Sequence, residues 1–221
     1  MHGRILIINP NSSEACSAEI AAAIAPIRAP WGPVVDVVTL REGPPAIYTW
    51  QDWHLVVQPM CRLVERESAD TYIIACASDP GIDALRAVTI RPVLGIFRSA
   101  VAMAVARAER FGVIGLVESS KARHHAALRA MGLEDRLAGE IALNVSMDAL
   151  LDPEMARPAL IVAAKGLAAM GAETIILGCT GMAHHRPAVR NAVDLPLIEP
   201  SQAATALAMG MLLGEVPLED H

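Results

Sequence analysis

Two cysteines in similar local sequences are the residues best suited to chemistry in this 221-residue chain. Cys76 follows an apolar run over residues 71–75, and Cys179 follows a similar run over residues 174–178. Hydroxyl and glycine residues of the kind found in tight turns come soon after each cysteine. Short apolar runs that end in turn residues are typical of buried strands. The sequence therefore predicts two similar strands that each carry a thiol into a turn.

Two thiols on opposite sides of a carbon atom can perform racemisation without a cofactor. A racemase removes a proton from one face of the carbon and returns a proton to the other face, so two acid/base groups of the same kind suit the task. Cysteine is suitable because a nearby helix N-terminus or cation can lower its pKa from about 8.5. We therefore predict that Cys76 and Cys179 are the catalytic residues.

The enolate formed in such a reaction needs preorganised hydrogen-bond donors. We expect these donors in the two turns after the cysteines and in the first loop, where Ser12 or Ser13 can cap a helix. The predicted substrate-binding residues are Asn9, Asn11, Ala77, Ser78, Thr180 and Gly181.

Several landmarks of the sequence occur twice at nearly the same separation. The corresponding pairs are Ser12-Ser13 with Ser119-Ser120, Cys76 with Cys179, and Pro92 with Pro196. Repeated strand and helix units predict an α/β fold with two pseudo-symmetric lobes, each a mostly parallel sheet flanked by helices. We assign residues 1–98 and 200–221 to lobe 1 and residues 99–199 to lobe 2. Because ligands bind beyond the carboxyl ends of parallel strands, the active site is expected in the cleft between the lobes.

The composition limits the classes of function. Hydrophobic residues make up 53% of the chain and aromatic residues only 3%, which indicates an aliphatic core of buried strands and Ala-rich helices. The net charge of −6, with dispersed Lys and Arg, provides no basic stripe for nucleic acid. No apolar run approaches the roughly 18 residues of a spanning helix, and no signal-peptide core is evident. We expect a cytoplasmic protein that binds a small molecule, with neither nucleic acid nor a membrane as partner.

The cysteine and histidine spacings do not indicate a disulfide framework or a metal site. Cys16 and Cys61 lie in helical patterns and are interpreted as core residues. The adjacent pairs His124-His125 and His184-His185 are expected to be solvated, because neighbouring residues on a helix point apart. The sequence thus predicts no metal and no cofactor.

Four motifs together resemble a known family. They are Ile-Asn-Pro-Asn-Ser-Ser at 8–13, Ala-Cys-Ala-Ser-Asp-Pro-Gly at 75–81, Pro-Val-Leu-Gly-Ile at 92–96 and Leu-Gly-Cys-Thr-Gly-Met at 177–182. The chain resembles the hydantoin (allantoin) racemase branch of the Asp/Glu/hydantoin racemase superfamily. The resemblance implies a cofactor-independent homo-oligomeric isomerase of two α/β lobes, with Cys76 and Cys179 as the catalytic pair. It implies a 5-substituted hydantoin or a related ureido ring, such as allantoin, as substrate.

Departures from this branch keep other functions open. Phe97-Arg98-Ser99 stands where the branch has a small and then an acidic residue, and Arg98 would favour a carboxylate substrate if it faced the cleft. The alternatives are an isomerase or decarboxylase of a small dicarboxylic acid of maleate or arylmalonate type, an aspartate or glutamate racemase, and a non-enzymatic binding protein. Further candidate substrate contacts are Tyr48, Phe97, Arg98, Ser119 and Ser120, although packing is the preferred interpretation of Tyr48 and the nearby tryptophans.

Overall fold

The computed structural model describes residues 3–214, which contain two four-stranded sheets. The strands are β1 (Arg4–Asn9), β2 (Val34–Thr39), β3 (Thr71–Ile74), β4 (Val93–Gly95), β5 (Phe111–Gly115), β6 (Leu137–Ala142), β7 (Thr174–Gly178) and β8 (Leu197–Ile198). The first sheet has the order β2-β1-β3-β4 and the second the equivalent order β6-β5-β7-β8. Neighbouring strands are parallel throughout both sheets. The repeated strand order confirms the predicted α/β fold with two similar halves.

Helices cover both sheets. They are α1 (Glu14–Ile24), α2 (Trp50–Leu55), α3 (Val57–Arg66), α4 (Ile82–Val88), α5 (Ile96–Val105), α6 (Lys121–Met131), α7 (Met147–Leu151), α8 (Pro153–Ala169), α9 (Arg186–Ala192) and α10 (Pro200–Gly214). Short 3₁₀ turns lie at Ala25–Ile27, Glu118–Ser120, Glu134–Arg136 and Thr180–His185. The Ser13 side chain accepts a hydrogen bond from the Cys16 N–H at 3.3 Å, so Ser13 caps α1 as predicted.

The central strands are apolar because both of their faces are covered by helices. All residues of β3, β5 and β7 are buried, as are residues 5–9 of β1. Parallel strands buried on both faces have continuous apolar sequences, and this feature made them recognisable. β3 and β7 occupy the same position in their sheets, so the two cysteines leave the sheets at equivalent places.

Two helices connect the halves by packing on the sheet of the other half. α5 follows the first sheet, yet Phe97 and Val101 pack against Phe111 and Val113 of the second sheet. α10 follows the second sheet, and its Ala204 belongs to the core of the first sheet. Because each of these helices follows one sheet and packs on the other, together they hold the two halves of the chain in contact. The proposed lobe boundaries stay a prediction, and residues 1–2 and 215–221 of lobe 1 lie outside the described part.

Three elements differ from the predicted ones. β6 was not predicted, because its residues are only half-buried and include none of the valine or threonine typical of a strand. The turn residues from Gly43 predict an irregular segment through Trp53, but α2 begins at Trp50 within it, since Thr49 and Asp52 form a reciprocal capping box. The Ala-rich run predicts a helix from Ala100 to Arg110, but α5 begins at Ile96, and its first turn is capped from outside the helix by Asp79.

Within residues 3–214, no helix has both the length and the apolar character needed to cross a membrane. The same residues contain no cluster of three or more His, Cys, Asp or Glu side chains able to hold a metal ion.

Candidate active site

Both predicted catalytic thiols line one cavity at the carboxyl ends of β3 and β7. Its volume is about 50 Å³, well below the roughly 300 Å³ of a typical small-molecule pocket. Substrate binding therefore requires the walls to separate. The predicted site residues that line the cavity are Asn11, Cys76, Ala77, Ser78, Ser120, Cys179 and Thr180.

The other predicted contacts surround the cavity or lie away from it. The Asn9 amide donates to Asn11 Oδ1 at 3.1 Å and so orients the asparagine that does line the cavity. The Gly181 N–H hydrogen-bonds to the Cys179 sulfur. Ser119 is exposed and its hydroxyl donates to the Tyr48 carbonyl oxygen. These residues position neighbouring groups.

Cys76 lies in the turn after β3, with Ser78 Oγ 3.4 Å from its sulfur. Burial raises the pKa of the Cys76 thiol, and the nearby Asp79 carboxyl raises it further. Hydrogen bonds from Ser78 and the positive charge of Arg123 oppose this rise in the pKa. The pKa of Cys76 is therefore raised overall, but a cation, Arg123, lies near this thiol and favours its thiolate.

Cys179 directly follows β7 and begins the 3₁₀ turn Thr180–His185. Burial raises the pKa of its thiol to about 12, and the acidic groups of Cys16, Cys76 and Glu199 act in the same direction. The preceding residue must be glycine, because a Cβ at Gly178 would lie 2.5 Å from the carbonyl oxygen of Ile114. The close contact of β7 with β5 thus fixes the strand end that presents Cys179.

Phe97 and Arg98 do not line the cavity between the thiols, although Arg98 lines a neighbouring cavity of about 420 Å³ together with Ser78 and Arg123. Phe97 is fully buried and stacks on His124, with ring centroids 4.5 Å apart. The Asp79 carboxyl accepts the backbone N–H groups of Phe97 and Arg98, both at 2.9 Å. It also accepts Arg98 Nη1 at 3.3 Å. Capping of α5 by Asp79 thus holds both side chains outside the site.

Two cavity residues on α6, Arg123 and His124, were missed in the sequence. The prediction of a solvated His124 was wrong: the residue is 1% exposed, and its Nδ1 lies 2.7 Å from Oε1 of the buried Glu140. His185 is also buried, with Nε2 2.8 Å from the Leu150 carbonyl oxygen. A signal was present, because Ser120, Arg123 and His124 have the i, i+3, i+4 spacing of one helix face.

Tyr48 belongs to a segment that lies over the cavity and contacts the second half of the chain. Its carbonyl oxygen accepts hydrogen bonds from Ser119 Oγ and from Arg123 Nη2, and its hydroxyl oxygen accepts the Met147 N–H at 2.9 Å. The neighbouring Ile47 and Met147 itself line the cavity. The Tyr48 contacts therefore hold the small cavity closed.

Replacing Tyr48 by phenylalanine is expected to loosen this closure. The change removes the acceptor of the Met147 N–H and leaves the rest of the side chain in place. Alkylation of the cavity thiols by iodoacetamide should become several-fold faster, and stability should fall by about 1 kcal/mol. Tyr72→Phe is the matched control, since the Tyr72 hydroxyl bonds only within the first half. Equal alkylation rates in the two variants would contradict the closing role of Tyr48.

Comparison with known proteins gives a consistent family. The profile of the Asp/Glu/Hydantoin racemase family matches residues 5–208. A hydantoin racemase of Paenarthrobacter aurescens is 31% identical over 215 residues, covering 95% of this chain and 91% of that protein. A hydantoin racemase of Rhizobium meliloti is 30% identical over 213 residues, covering 94% and 88% of the two chains.

A solved structure agrees with the sequence relatives. The allantoin racemase from Klebsiella pneumoniae superimposes with a TM-score of 0.87 at 26% identity, covering 96% of this chain and 89% of that one. The similarity therefore extends over both sheets. The chain therefore belongs to the Asp/Glu/hydantoin racemase family, and the hydantoin and allantoin racemases among its relatives support racemase function.

Proposed function

We propose that this chain is a cofactor-independent racemase of a 5-substituted hydantoin or a related ureido ring such as allantoin. The observation that carries the proposal is the placement of Cys76 and Cys179, which leave equivalent strands of the two sheets and line one cavity. The hydantoin and allantoin racemases similar to this chain support the choice of substrate.

In the proposed reaction, one cysteine is a thiolate and the other a thiol. The thiolate takes the proton from C5 of the ring, and the electron pair moves onto the adjacent carbonyl as an enolate. The second cysteine then gives its proton to the opposite face of C5. Each turnover exchanges the roles of the two sulfurs, so the reverse reaction uses the same groups. Asn11, Ser78 and Thr180 are the proposed donors to the ring and its enolate.

Two alternative substrates have less support. The dicarboxylic acid alternative was motivated by Arg98, whose guanidinium pairs with Asp79, and the one arginine of residues 3–214 that lines the cavity, Arg123, suits one carboxylate rather than two. An amino acid substrate carries an ammonium group that requires a negative partner. The described residues that line the cavity include no aspartate or glutamate. A pure binding protein would give no reason for two thiols at equivalent positions.

The cellular setting is part of the proposal. All four cysteines, Cys16, Cys61, Cys76 and Cys179, are free thiols. Thiols persist in a reducing compartment, so we place the enzyme in the cytoplasm. Exposed apolar side chains on α5, α8 and α10, among them Met103, Val162 and Leu207, support self-association as a homo-oligomer.

Deuterium incorporation from D2O tests the proposal. Purified enzyme is incubated with single enantiomers of 5-substituted hydantoins, allantoin, aspartate and glutamate, and separately with maleate and an arylmalonate. The reactions are followed by NMR and polarimetry. We expect C5 exchange together with loss of optical rotation for a ureido ring. Release of CO2 or a moved double bond in an acid, without exchange in any ring, would assign the chain to a different reaction.

A further inference from the structure

The Arg123 guanidinium is buried in the cavity without a negative partner. Arg123 is 3% exposed, and its Nε and Nη1 atoms have no hydrogen-bond partner. Its Nη2 atom donates only to the Tyr48 carbonyl oxygen, at 3.3 Å. In the part of the chain that the structure describes, no carboxylate lies within 4 Å of Arg123.

A buried charge without a partner is costly, so this arrangement needs a reason. The Trp50 ring lies 5.7 Å from the Arg123 Cζ atom and stabilises the cation in part. Burial lowers the pKa of Arg123, while Cys76, Asp52 and Glu140 oppose the shift from a distance. Asp52 is already bonded by the Tyr48 and Thr49 N–H groups, and Glu140 Oε1 by His124. Glu140 Oε2 is buried without a hydrogen-bond partner, but it forms no ion pair with Arg123 among the described residues. The cavity therefore has donors for one more anionic group.

The location of Arg123 connects this group to the substrate. Arg123 lines the same cavity as both thiols, so a molecule held between Cys76 and Cys179 comes within its reach. A planar guanidinium matches a carboxylate, which accepts two parallel hydrogen bonds from one edge, and here the unpartnered Nη1 lies beside Nη2, which has a second N–H. Arg98 does not compete for this role, because Asp79 neutralises it outside the cavity.

Building on the racemase function proposed above, we propose that Arg123 binds a carboxylate on the substrate side chain, so that the preferred substrate is a carboxyalkyl hydantoin. The ring then lies between the thiols, and the carboxylate of its short 5-substituent accepts hydrogen bonds from Nη1 and from the second N–H of Nη2 of Arg123. A neutral side chain of the same size leaves the buried guanidinium unpaired and binds more weakly.

A pair of isosteric substrates tests this proposal directly. Hydantoin-5-acetic acid and hydantoin-5-acetamide differ only in the charged group. Wild-type enzyme is expected to prefer the acid by about 50-fold in kcat/KM, and Arg123→Met should remove that preference by lowering activity on the acid. The matched control is Arg129→Met on the same helix, where the side chain is exposed and pairs with Glu134. This control should keep the preference.

Calorimetric binding of the same two compounds separates the inference from the reaction. Equal kcat/KM and equal Kd for acid and amide in wild-type enzyme would overturn the role of Arg123 while the racemase proposal stands. Tighter binding of the acid, lost in Arg123→Met but without turnover of either compound, would support the carboxylate site and overturn the racemase proposal. The wild-type ratio of acid to amide needs no variant, so a folding defect in Arg123→Met leaves the test decisive.

Discussion

Replacing Cys76 or Cys179 by serine is expected to reduce racemisation by about 10³-fold or more, because a serine hydroxyl is a far weaker acid than a thiol. Each variant keeps one functional thiol and therefore loses the transfer of a proton across the ring. Polarimetry on the substrate identified by deuterium exchange measures the loss. Racemisation at the wild-type rate in either variant would contradict the two-thiol mechanism.

The two serine variants are expected to differ in one-sided proton exchange. Cys179→Ser retains Cys76, whose pKa is raised by burial, although the hydrogen bonds of Ser78 and the positive charge of Arg123 oppose that rise. Cys76→Ser retains Cys179, whose pKa of about 12 makes a thiolate scarce at neutral pH. We expect Cys179→Ser to exchange the C5 proton of one enantiomer faster than Cys76→Ser does. Faster exchange in Cys76→Ser would reverse this assignment of the resting base.

Cys61→Ser is the matched control for both variants. Cys61 is a half-buried thiol on α3 whose pKa is also raised by burial, but it does not line the cavity. Its replacement should leave racemisation within about two-fold of the wild-type rate, as for a substitution away from the reacting groups. A large loss of activity would mean that thiol replacement acts through folding.

The sequence predicted the site best where a reactive residue, cysteine, follows a buried strand. Parallel strands covered on both faces have continuous apolar sequences, so β3 and β7 and the cysteines after them could be recognised. The repeat of landmarks then predicted that both thiols lie at one cleft, and the structure places them on one cavity. β6 was missed because it is a half-buried edge strand with mixed composition.

The remaining part of the site depends on tertiary contacts, so the spacing of Ser120, Arg123 and His124 indicates a shared helix face but not what that face contacts. The helix α6 was predicted, but its cavity-facing side depends on how α6 packs. Glu140, the partner of His124, lies on the strand that was not predicted. Arg98 was the arginine considered for substrate binding, yet its direction is set by Asp79, nineteen positions earlier in the chain. Arg123 takes the place in the cavity instead.

In each half of the chain, a buried carboxylate caps the helix that follows the last strand of that half's sheet. Asp79, in the turn after Cys76, caps α5. Glu199 lies directly before α10, and its carboxyl accepts the N–H groups of Ser201 and Gln202 at 3.1 and 2.6 Å. Anions at helix N-termini are stabilised by the free N–H groups and the helix dipole. In the first half, this cap joins the Cys76 turn to the helix that packs on the second sheet.

Replacing Gly95 by alanine is therefore expected to lower the free energy of unfolding by at least about 3 kcal/mol. The added Cβ would overlap the Asp79 carboxyl group, which is itself fixed by the N–H groups of α5. Urea unfolding followed by circular dichroism measures the loss. Gly210→Ala is the control, because a Cβ there meets no atom within 4 Å and the helix interior of α10 should gain about 0.5–1 kcal/mol.

A double-variant cycle tests whether the overlap with Asp79 is the cause. Asp79→Ala alone should be destabilising, since the buried N–H groups of Phe97 and Arg98 lose their acceptor. In that background the clashing carboxyl is gone, so Gly95→Ala should cost much less than in the wild-type chain. Strict additivity of the two changes would show that the cost arises elsewhere in the strand. A strongly reduced cost would establish that the contact between β4 and the Cys76 turn fixes the position of the first thiol.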